Sequence, residues 1–416
     1  MKSGGARAIT LPVTAASSLL SSMIIIATAG VSGYAAISVI STLFLLIQFS
    51  DLGLGSSVIN EVASSSASEH SKLSVIASSF RILCIVSLAL MLIAVGGVSV
   101  FSWSGVLGIQ SSSLDDLDSA TLLAISIFAI SVPLGLSQRI LVGLGRNHLA
   151  IYLSLFTSVT SVLVVYLVSK SELPAAYMSV SQSSGVLITN LISTFVVLKF
   201  IPFRFRMIVD RKRFRGHGIL GTGLWMLLLS IMLAFSFQAG RIILSHRSSE
   251  LEVGDYSLAM QFYMPVVSIV SASGFALWPI FAKNRTFGVD ARRSFLRILA
   301  AFSAGGFVLA TVFALLANPV GLLISGGRIS LGLDVIVLCA ILIILQSIQI
   351  VPGMLLTQSA GLRFQSLCGV VAAMISVSMS YVLSPSMGAA APVLAACCAV
   401  AVAQVGPSLY KALSGV

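Results

Sequence analysis

Charged side chains inside apolar stretches are the residues of this sequence that could do chemistry. Four of them stand in or at the end of long apolar runs: Asp51, Arg81, Arg139 and Arg241. A charge at the centre of a bilayer costs about 2.5 to 3.5 kcal/mol on insertion scales, so it is seldom found there without a use. Arginine offers forked donors suited to phosphate and diphosphate groups. If the arginines face a cavity, they predict an anionic cargo; if they lie near span ends, their long stems reach the headgroups instead.

No catalytic motif accompanies these residues. The sequence lacks a Gly-Lys-Ser/Thr phosphate loop, a His-Glu-x-x-His pair and a Gly-x-Ser-x-Gly elbow. Its four histidines have no metal-ligand spacing, and its five cysteines stand in apolar runs as small hydrophobes. We therefore predict no enzymatic activity, no metal site and no cofactor.

The composition excludes a soluble protein. Hydrophobic residues make up 57% of the chain and charged residues 9%, whereas soluble domains carry about 25% charged residues. The net charge of +11 comes from basic residues placed between apolar runs, not gathered on a solvated face as nucleic-acid binding requires. We predict membrane lipids, and no nucleic acid, as partners.

Twelve apolar segments, each near the length that crosses a bilayer, predict an all-α polytopic protein with about 12 spans. The first is interpreted as an uncleaved helix, because it is long for a signal peptide and many spans follow it. A basic linker over 201–218 separates two predicted lobes of six helices, 1–200 and 219–416. The predicted spans are 8–29, 33–58, 75–100, 119–142, 149–169, 174–199, 219–244, 255–281, 294–318, 333–356, 363–384 and 387–410.

The basic residues also predict orientation, since they remain preferentially on the cytoplasmic side. With both termini inside, all but four of the 24 Lys and Arg residues fall on that side. The exceptions are Lys170, Arg241, Arg247 and Arg328. Six spans per lobe give both lobes the same orientation, as in transporters built from parallel repeats. The linker should lie along the anionic inner leaflet.

Several short motifs carry a family resemblance. They are Phe49–Gly55 (FSDLGLG), Leu144–His148 (LGRNH), Gly240–Leu244 (GRIIL), Val253–Ala259 (VGDYSLA) and Trp278–Ala282 (WPIFA). With the layout of six plus six spans, the chain resembles the polysaccharide exporter and O-antigen flippase family of Wzx type. That family belongs to the multidrug, oligosaccharidyl-lipid and polysaccharide exporter (MOP) superfamily.

The resemblance implies a MATE-like fold and export of an undecaprenyl-diphosphate-linked oligosaccharide across the bacterial inner membrane by alternating access. The cargo would be a repeat unit of O-antigen, and hence lipopolysaccharide, or of capsule or exopolysaccharide. A polysaccharide polymerase and a chain-length regulator are the implied protein partners. The candidate headgroup contacts in the cavity are Arg81, Arg139, Arg241 and Gln238.

One position departs from the family. Members commonly carry an Asp directly before the Arg of the seventh span, where this chain has Gly240. Asp51 and Glu61 remain as candidates for coupling transport to protons or sodium.

Three alternatives stay open at the level of sequence. A multidrug or cation antiporter of the same fold would favour acids facing a cationic drug, and Asp51 is the acid in or near a span. A membrane polysaccharide polymerase or ligase would display a long outer loop, whereas the outer segments here are short. A lipid II flippase is a near relative that resembles a layout of fourteen spans.

Overall fold

The computed structural model describes residues 2–47, 54–64, 68–100, 102–109, 114–202, 206–210, 214, 239–275, 277, 289–356 and 359–414. These residues are almost all helical, and none of them lies in a β-strand. The predicted all-α class is therefore confirmed. The chain divides into two compact units, Met1–Leu227 and Leu228–Val416. Residues 215–238, which contain this division, lie outside the described residues, so the limits of the predicted lobes stay a prediction.

The described part of the N-terminal unit consists of ten helices and one 3-10 turn, Ala175–Ser179. The helices are α1 (Lys2–Ile47), α2 (Leu54–Ala63), α3 (Glu69–Val100), α4 (Trp103–Val106), α5 (Leu117–Leu134), α6 (Leu136–Gly143), α7 (Asn147–Leu153), α8 (Leu155–Lys170), α9 (Val180–Leu198) and α10 (Arg206–Val209).

The described part of the C-terminal unit begins with a helical segment over residues 239–247, here α11. It continues with α12 (Glu250–Phe275), α13 (Val289–Ser325), α14 (Leu333–Leu355), α15 (Ser359–Met387), α16 (Ala390–Ala399) and α17 (Gly406–Ser414). A π-helical segment, Val400–Val405, joins α16 to α17, so the last span is continuous.

Within the described residues, nine helical stretches are long and apolar enough to cross a membrane. They are Ile9–Thr42, Glu69–Gly96, Leu117–Gly143, Asn147–Lys170, Ala175–Leu198, Arg292–Ser325, Leu333–Leu355, Arg363–Met387 and Ala390–Ser414. The first covers the first predicted span and part of the second. The seventh predicted span lies mostly outside the described residues, and the eighth corresponds to α12. The chain is a multi-pass membrane protein, and these stretches are consistent with about twelve predicted spans.

Gly30 separates the first two predicted spans. Its φ of +73° and ψ of −173° are non-helical, and L side chains rarely adopt a φ in this range. An unbroken α1 of 46 residues would be about 69 Å long, more than twice the hydrocarbon thickness of a bilayer. The break therefore lets the chain form two membrane-length segments, and it falls where the sequence predicts a turn.

One face of α3 shows how these helices meet lipid. Ile85, Leu88, Leu92 and Val95 recur at helical spacing, and each is more than half exposed. A helix of a soluble protein would turn such an apolar stripe inward. In this protein the stripe faces outward, as a lipid-facing surface requires.

Helix α5 ends where Pro133 interrupts its hydrogen bonds. Proline has no N–H, so the carbonyl of Ala129, four residues earlier, lacks its usual donor. Ser87 Oγ on α3 donates to that carbonyl at 2.6 Å. Asn190 Nδ2 on α9 donates to the nearby Ser131 carbonyl at 3.0 Å. Neighbouring helices thus supply the donors, which is the condition under which proline is tolerated in a membrane helix.

Further polar contacts join α9 to two more helices. Gln138 Nε2 on α6 donates to Ser193 Oγ on α9 at 2.6 Å. The hydroxyl oxygens of Thr157 on α8 and Thr189 on α9 lie 2.7 Å apart. Side-chain hydrogen bonds therefore connect α3, α5, α6, α8 and α9.

Close approach of small residues characterises the C-terminal unit. A Cβ placed on Gly306 of α13 would lie 2.5 Å from both Cβ and Oγ of Ser347 on α14, and one placed on Gly274 of α12 would overlap Ile350. Ala372, Ala399 and Ala403 form a buried cluster between α15 and the last span. Small residues of this kind allow helix backbones to approach closely, which strengthens dispersion contacts in a membrane.

Candidate functional site

Arg81 is held by the backbone of the inter-lobe linker. It lies half-buried on α3, where Nη1 donates to the Ile208 carbonyl at 3.1 Å and Nη2 donates to the Phe214 carbonyl at 2.5 Å. Hydrogen bonds from a charged donor are shorter and stronger than neutral ones. The guanidinium therefore fixes two carbonyls that are 127 and 133 residues away in the chain.

The side chains around these bonds form a small apolar contact. Phe214 is buried against Leu73 and Ala77, and its ring stacks on His70 with centroids 5.2 Å apart and planes 19° apart. We call Arg81, His70, Leu73, Ala77 and Phe214 the linker anchor. The Arg81 guanidinium donates to linker carbonyls. This is compatible with the alternative that Arg81 lies near a span end and reaches the headgroups. A contact of Arg81 with cargo stays a prediction.

Glu61 lies beside the linker anchor. It is half-buried on α2, and its Oε1 accepts a hydrogen bond of 2.5 Å from Ser71 Oγ on α3. This contact ties α2 to the start of α3, next to His70. Coupling of transport to an ion at Glu61 is untested, and the second candidate, Asp51, lies outside the described residues.

Helix α6 directs two neighbouring polar residues differently. Gln138 is half-buried and bonds to Ser193 inside the unit. Arg139, the next residue, is exposed. Its guanidinium is therefore accessible at the surface of the N-terminal unit, and its role in binding cargo stays a prediction.

Arg241 stands on α11 beside a tightly packed glycine. Gly240 is buried, and a Cβ there would lie 2.7 Å from Pro392 Cβ and 2.9 Å from Tyr256 Oη. Arg241 is half-buried and close enough to Tyr256 for the two to interact electrostatically. The departure from the family pattern thus has a physical reason, because an Asp in place of Gly240 would collide with α12 and α16. Gln238 lies outside the described residues.

Two carboxylates have structural roles that the sequence analysis missed. Glu252 Oε2 on α12 accepts from the Ala389 N–H at 2.6 Å, just before α16 begins. Asp118 Oδ1 on α5 accepts from the Ser104 N–H at 2.8 Å, inside α4. Each carboxylate therefore binds main-chain N–H groups at a helix start, where an anion is favoured. Sequence separations of 137 and 14 residues hide such pairs from inspection of the sequence.

Three cation–π contacts join a cation to an aromatic ring distant in the sequence. The pairs are Arg146 with Phe200 at 3.7 Å, Arg247 with Tyr381 at 4.4 Å, and Lys411 with Phe364 at 4.0 Å. The orientation of the spans stays a prediction.

A basic groove on α13 was also missed, because its arginines were interpreted only as determinants of orientation. Arg292, Arg293 and Arg297 line it together with Leu296 and Ala300. We call these five residues the arginine groove; its volume is ≈ 410 Å³.

The described candidate residues favour recognition of ligands by charge and hydrogen bonding. No three His, Cys, Asp or Glu side chains come together in the part of the chain that the structure describes. The groups present are guanidinium donors, amides and hydroxyls. They can bind an anion or a polar headgroup.

The apolar helices define a multi-pass membrane protein. Residues 18–285 match the polysaccharide biosynthesis protein family, and the chain belongs to that family. The resemblance stated from the sequence is thereby confirmed. No curated protein matches the sequence.

Solved structures share the fold at low sequence identity. The inward-facing conformation of a multidrug resistance MATE family transporter of the MOP superfamily superposes with a TM-score of 0.69 at 12% identity, covering 96% of this chain and 93% of that one. The lipid II flippase MurJ, inward closed, gives 0.67 at 15% identity, with 97% and 86% covered. An outward-facing MATE transporter gives 0.62 at 11% identity, with 98% and 96% covered. The predicted MATE-like fold is confirmed.

Proposed function

We propose that this protein is a flippase that carries an undecaprenyl-diphosphate-linked oligosaccharide from the inner to the outer leaflet of the bacterial inner membrane. The match of residues 18–285 to the polysaccharide biosynthesis protein family carries this proposal. Such a protein is needed because a sugar chain and a diphosphate cannot cross hydrocarbon unaided. Each unsatisfied polar group there costs several kcal/mol.

The mechanism proposed is alternating access, in which a rearrangement of the two units exposes the cargo first to one side and then to the other. Related folds have been solved inward-facing and outward-facing, and one neighbour is a lipid II flippase. The lipid II flippase is the neighbour that supports a cargo with a headgroup on a lipid. A polysaccharide polymerase and a chain-length regulator are the proposed partners that receive the product.

Among the predicted contacts, Arg241 is our first choice for the diphosphate. It is half-buried, and its Nε is enclosed, so an anion bound to it would be shielded from water, which strengthens the interaction. Arg81 already donates to linker carbonyls, and Arg139 is exposed. Gln238, three residues earlier in the sequence, stays a further candidate contact.

The test is to delete the gene and measure how much lipid-linked repeat unit reaches each leaflet, using a sugar-modifying reagent that does not cross the membrane. We expect the repeat unit to accumulate in the inner leaflet. The wild-type gene should restore outward transfer, and Arg241→Ala should restore less than a tenth of it. Arg241→Lys should be intermediate because lysine keeps the charge and loses the forked donors. Normal outward transfer in the deletion strain would refute the proposal.

A second measurement distinguishes the proposed flippase from the rival function, a multidrug antiporter. Overexpression of an antiporter raises resistance to cationic drugs, whereas a flippase for an anionic headgroup leaves resistance unchanged. The three candidate arginines favour the second result, since they repel a cation. Ion coupling at Asp51 or Glu61 would appear as a loss of outward transfer when the proton or sodium gradient is collapsed.

A further inference from the structure

The arginine groove contains none of the proposed cargo contacts. Arg292, Arg293 and Arg297 belong to the first three turns of α13, and all three are exposed. Leu296 and Ala300, also exposed, add apolar lining. Three arginines and two apolar residues therefore line one open depression on α13.

Basic residues outnumber acidic ones in the sequence of this groove. Asp290 is the one acid in the sequence between residues 289 and 300, which leaves a net charge of two. No ion pair joins the three arginines to a carboxylate among the side chains that the structure describes. Like charges one turn apart on a helix repel one another. A bound anion would remove this repulsion.

An apolar lane leads away from the groove along the same helix. Phe307, Val308, Val312, Leu315 and Leu316 are exposed and follow Leu296 and Ala300 at helical spacing. The membrane-crossing stretch of this helix begins at Arg292. The guanidinium groups thus lie at headgroup depth, and the lane lies at the depth of the acyl chains.

We propose that the arginine groove binds an anionic phospholipid of the inner leaflet. The guanidinium groups hold its phosphate through forked hydrogen bonds, and an acyl chain lies along the first part of the lane, from Leu296 to Phe307, which is about one leaflet deep. The volume of ≈ 410 Å³ falls in the range of about 300 to 1,000 Å³ that is common for ligand sites. Charge complementarity selects a lipid with a net negative headgroup over a zwitterionic one. This lipid is a bound regulator or stabiliser, separate from the cargo.

The three arginines could serve only to orient the protein in the membrane through their positive charge. Variants that keep the charge distinguish this role from lipid binding. The triple variant Arg292→Lys, Arg293→Lys, Arg297→Lys retains the positive charge on this side but loses the forked donors. Ala300→Trp leaves the arginines in place and fills the groove with a bulky ring. Because Ala300 is exposed, the added ring meets no packed interior.

The experiment measures lipids retained by the purified full-length chain in native mass spectrometry, with equal amounts of phosphatidylglycerol and phosphatidylcholine supplied. We expect selective retention of phosphatidylglycerol by the wild type, and a loss of at least fivefold in the triple Lys variant and in Ala300→Trp. The matched control, Arg146→Lys with Arg363→Lys, changes two exposed arginines on the same predicted side and should retain the wild-type amount.

Two results would overturn the site. One is equal retention of the two lipids by the wild type, and the other is unchanged retention of phosphatidylglycerol by both groove variants. Neither result depends on the cargo, because the measurement contains no lipid-linked oligosaccharide. Failure of the flippase assay would likewise leave this lipid site standing, so the two proposals can fail separately.

Discussion

Two regions, the break at Pro133 in the N-terminal unit and the glycines of α12 and α13 in the C-terminal unit, join their helices by different kinds of contact. In the N-terminal unit, side chains such as Ser87, Asn190 and Gln138 reach across to carbonyls or hydroxyls of neighbouring helices. In the C-terminal unit, Gly306 and Gly274 let backbones approach until a Cβ would not fit. Both solutions answer the same problem, because lipid provides no hydrophobic drive for one helix to associate with another.

The difference indicates which kinds of substitution each region tolerates. Hydrogen bonds to freed carbonyls allow α5 to break at Pro133 while its polar groups remain satisfied. Glycine contacts allow no added volume, but they leave no donor that must find a partner. We therefore expect the glycine contacts of α12 and α13 to be sensitive to size and the contacts around Pro133 to be sensitive to polarity.

The largest expected effect tests the glycine contact of the C-terminal unit. Gly306→Leu would force α13 away from Ser347 on α14 and should destabilise the protein by about 3 kcal/mol, at the upper end for overpacking. The measurement is the thermal midpoint of the purified protein in one detergent, checked by steric trapping. Gly305→Leu is the matched control, since a Cβ at Gly305 meets nothing within 4 Å. A similar loss in both variants would break the comparison.

The second prediction tests the freed carbonyl of the N-terminal unit. Ser87→Ala leaves the Ala129 carbonyl without its donor and should cost about 1 to 2 kcal/mol. In a Pro133→Ala background, residue 133 regains an N–H for that carbonyl, so the same change should cost less than half as much. Steric trapping of the four proteins gives the coupling energy. Ser78→Ala is the control, because Ser78 bonds only to carbonyls of its own helix among the contacts described.

If Ser87→Ala costs the same with and without Pro133, the hydroxyl does not substitute for the missing N–H. The polar network would then be incidental to the break in α5.

The third prediction concerns the hydrogen bonds from Arg81 to the linker. Arg81→Gln removes the charged donors to Ile208 and Phe214, each worth about 1.5 kcal/mol or more. Amide hydrogen exchange over residues 206–210 should accelerate about tenfold, since a factor of ten corresponds to about 1.4 kcal/mol. Arg146→Gln, which removes an exposed cation over Phe200, should leave that exchange unchanged. Slow exchange in Arg81→Gln would show that Phe214 packing alone holds the linker.

The smallest expected effect concerns a kind of contact that occurs once in each unit, a carboxylate that accepts from a main-chain N–H at the start of a helix. Glu252→Gln keeps an acceptor for the Ala389 N–H but removes its charge, which should cost about 0.5 to 1 kcal/mol. Asp118→Asn should cost a similar amount through the Ser104 N–H. The measurement is the thermal midpoint of each variant. A large loss in only one variant would show that the contacts at these helix starts also differ between the two units.

Hydropathy predicted most of the fold, because a membrane helix must be apolar along about 20 residues whatever its neighbours are. The same reasoning located the break near Gly30. These features depend on local sequence and on the absence of water, both of which are visible in the sequence.

The candidate site was less predictable, since a charge can be recognised in a sequence but its partner cannot. Arg81 was predicted as a headgroup contact, and its closest described partners are carbonyls 127 and 133 residues away. Gly240 was recognised as a departure from the family, but its cause, the positions of Tyr256 and Pro392, required the folded structure. The arginine groove was overlooked because orientation by positive charge already explained its residues.

The π-helical segment Val400–Val405 sets the rotational phase of the chain's last turns. Widening one turn by a residue turns every later side chain by about 100° about the axis, relative to an uninterrupted α-helix. With this offset, Ser408 is buried and its Oγ accepts a hydrogen bond from Gln349 Nε2. Ala412 packs beside Phe295. Removing a single residue there would therefore leave the hydropathy of the span nearly intact while turning Ser408 and Ala412 toward other neighbours.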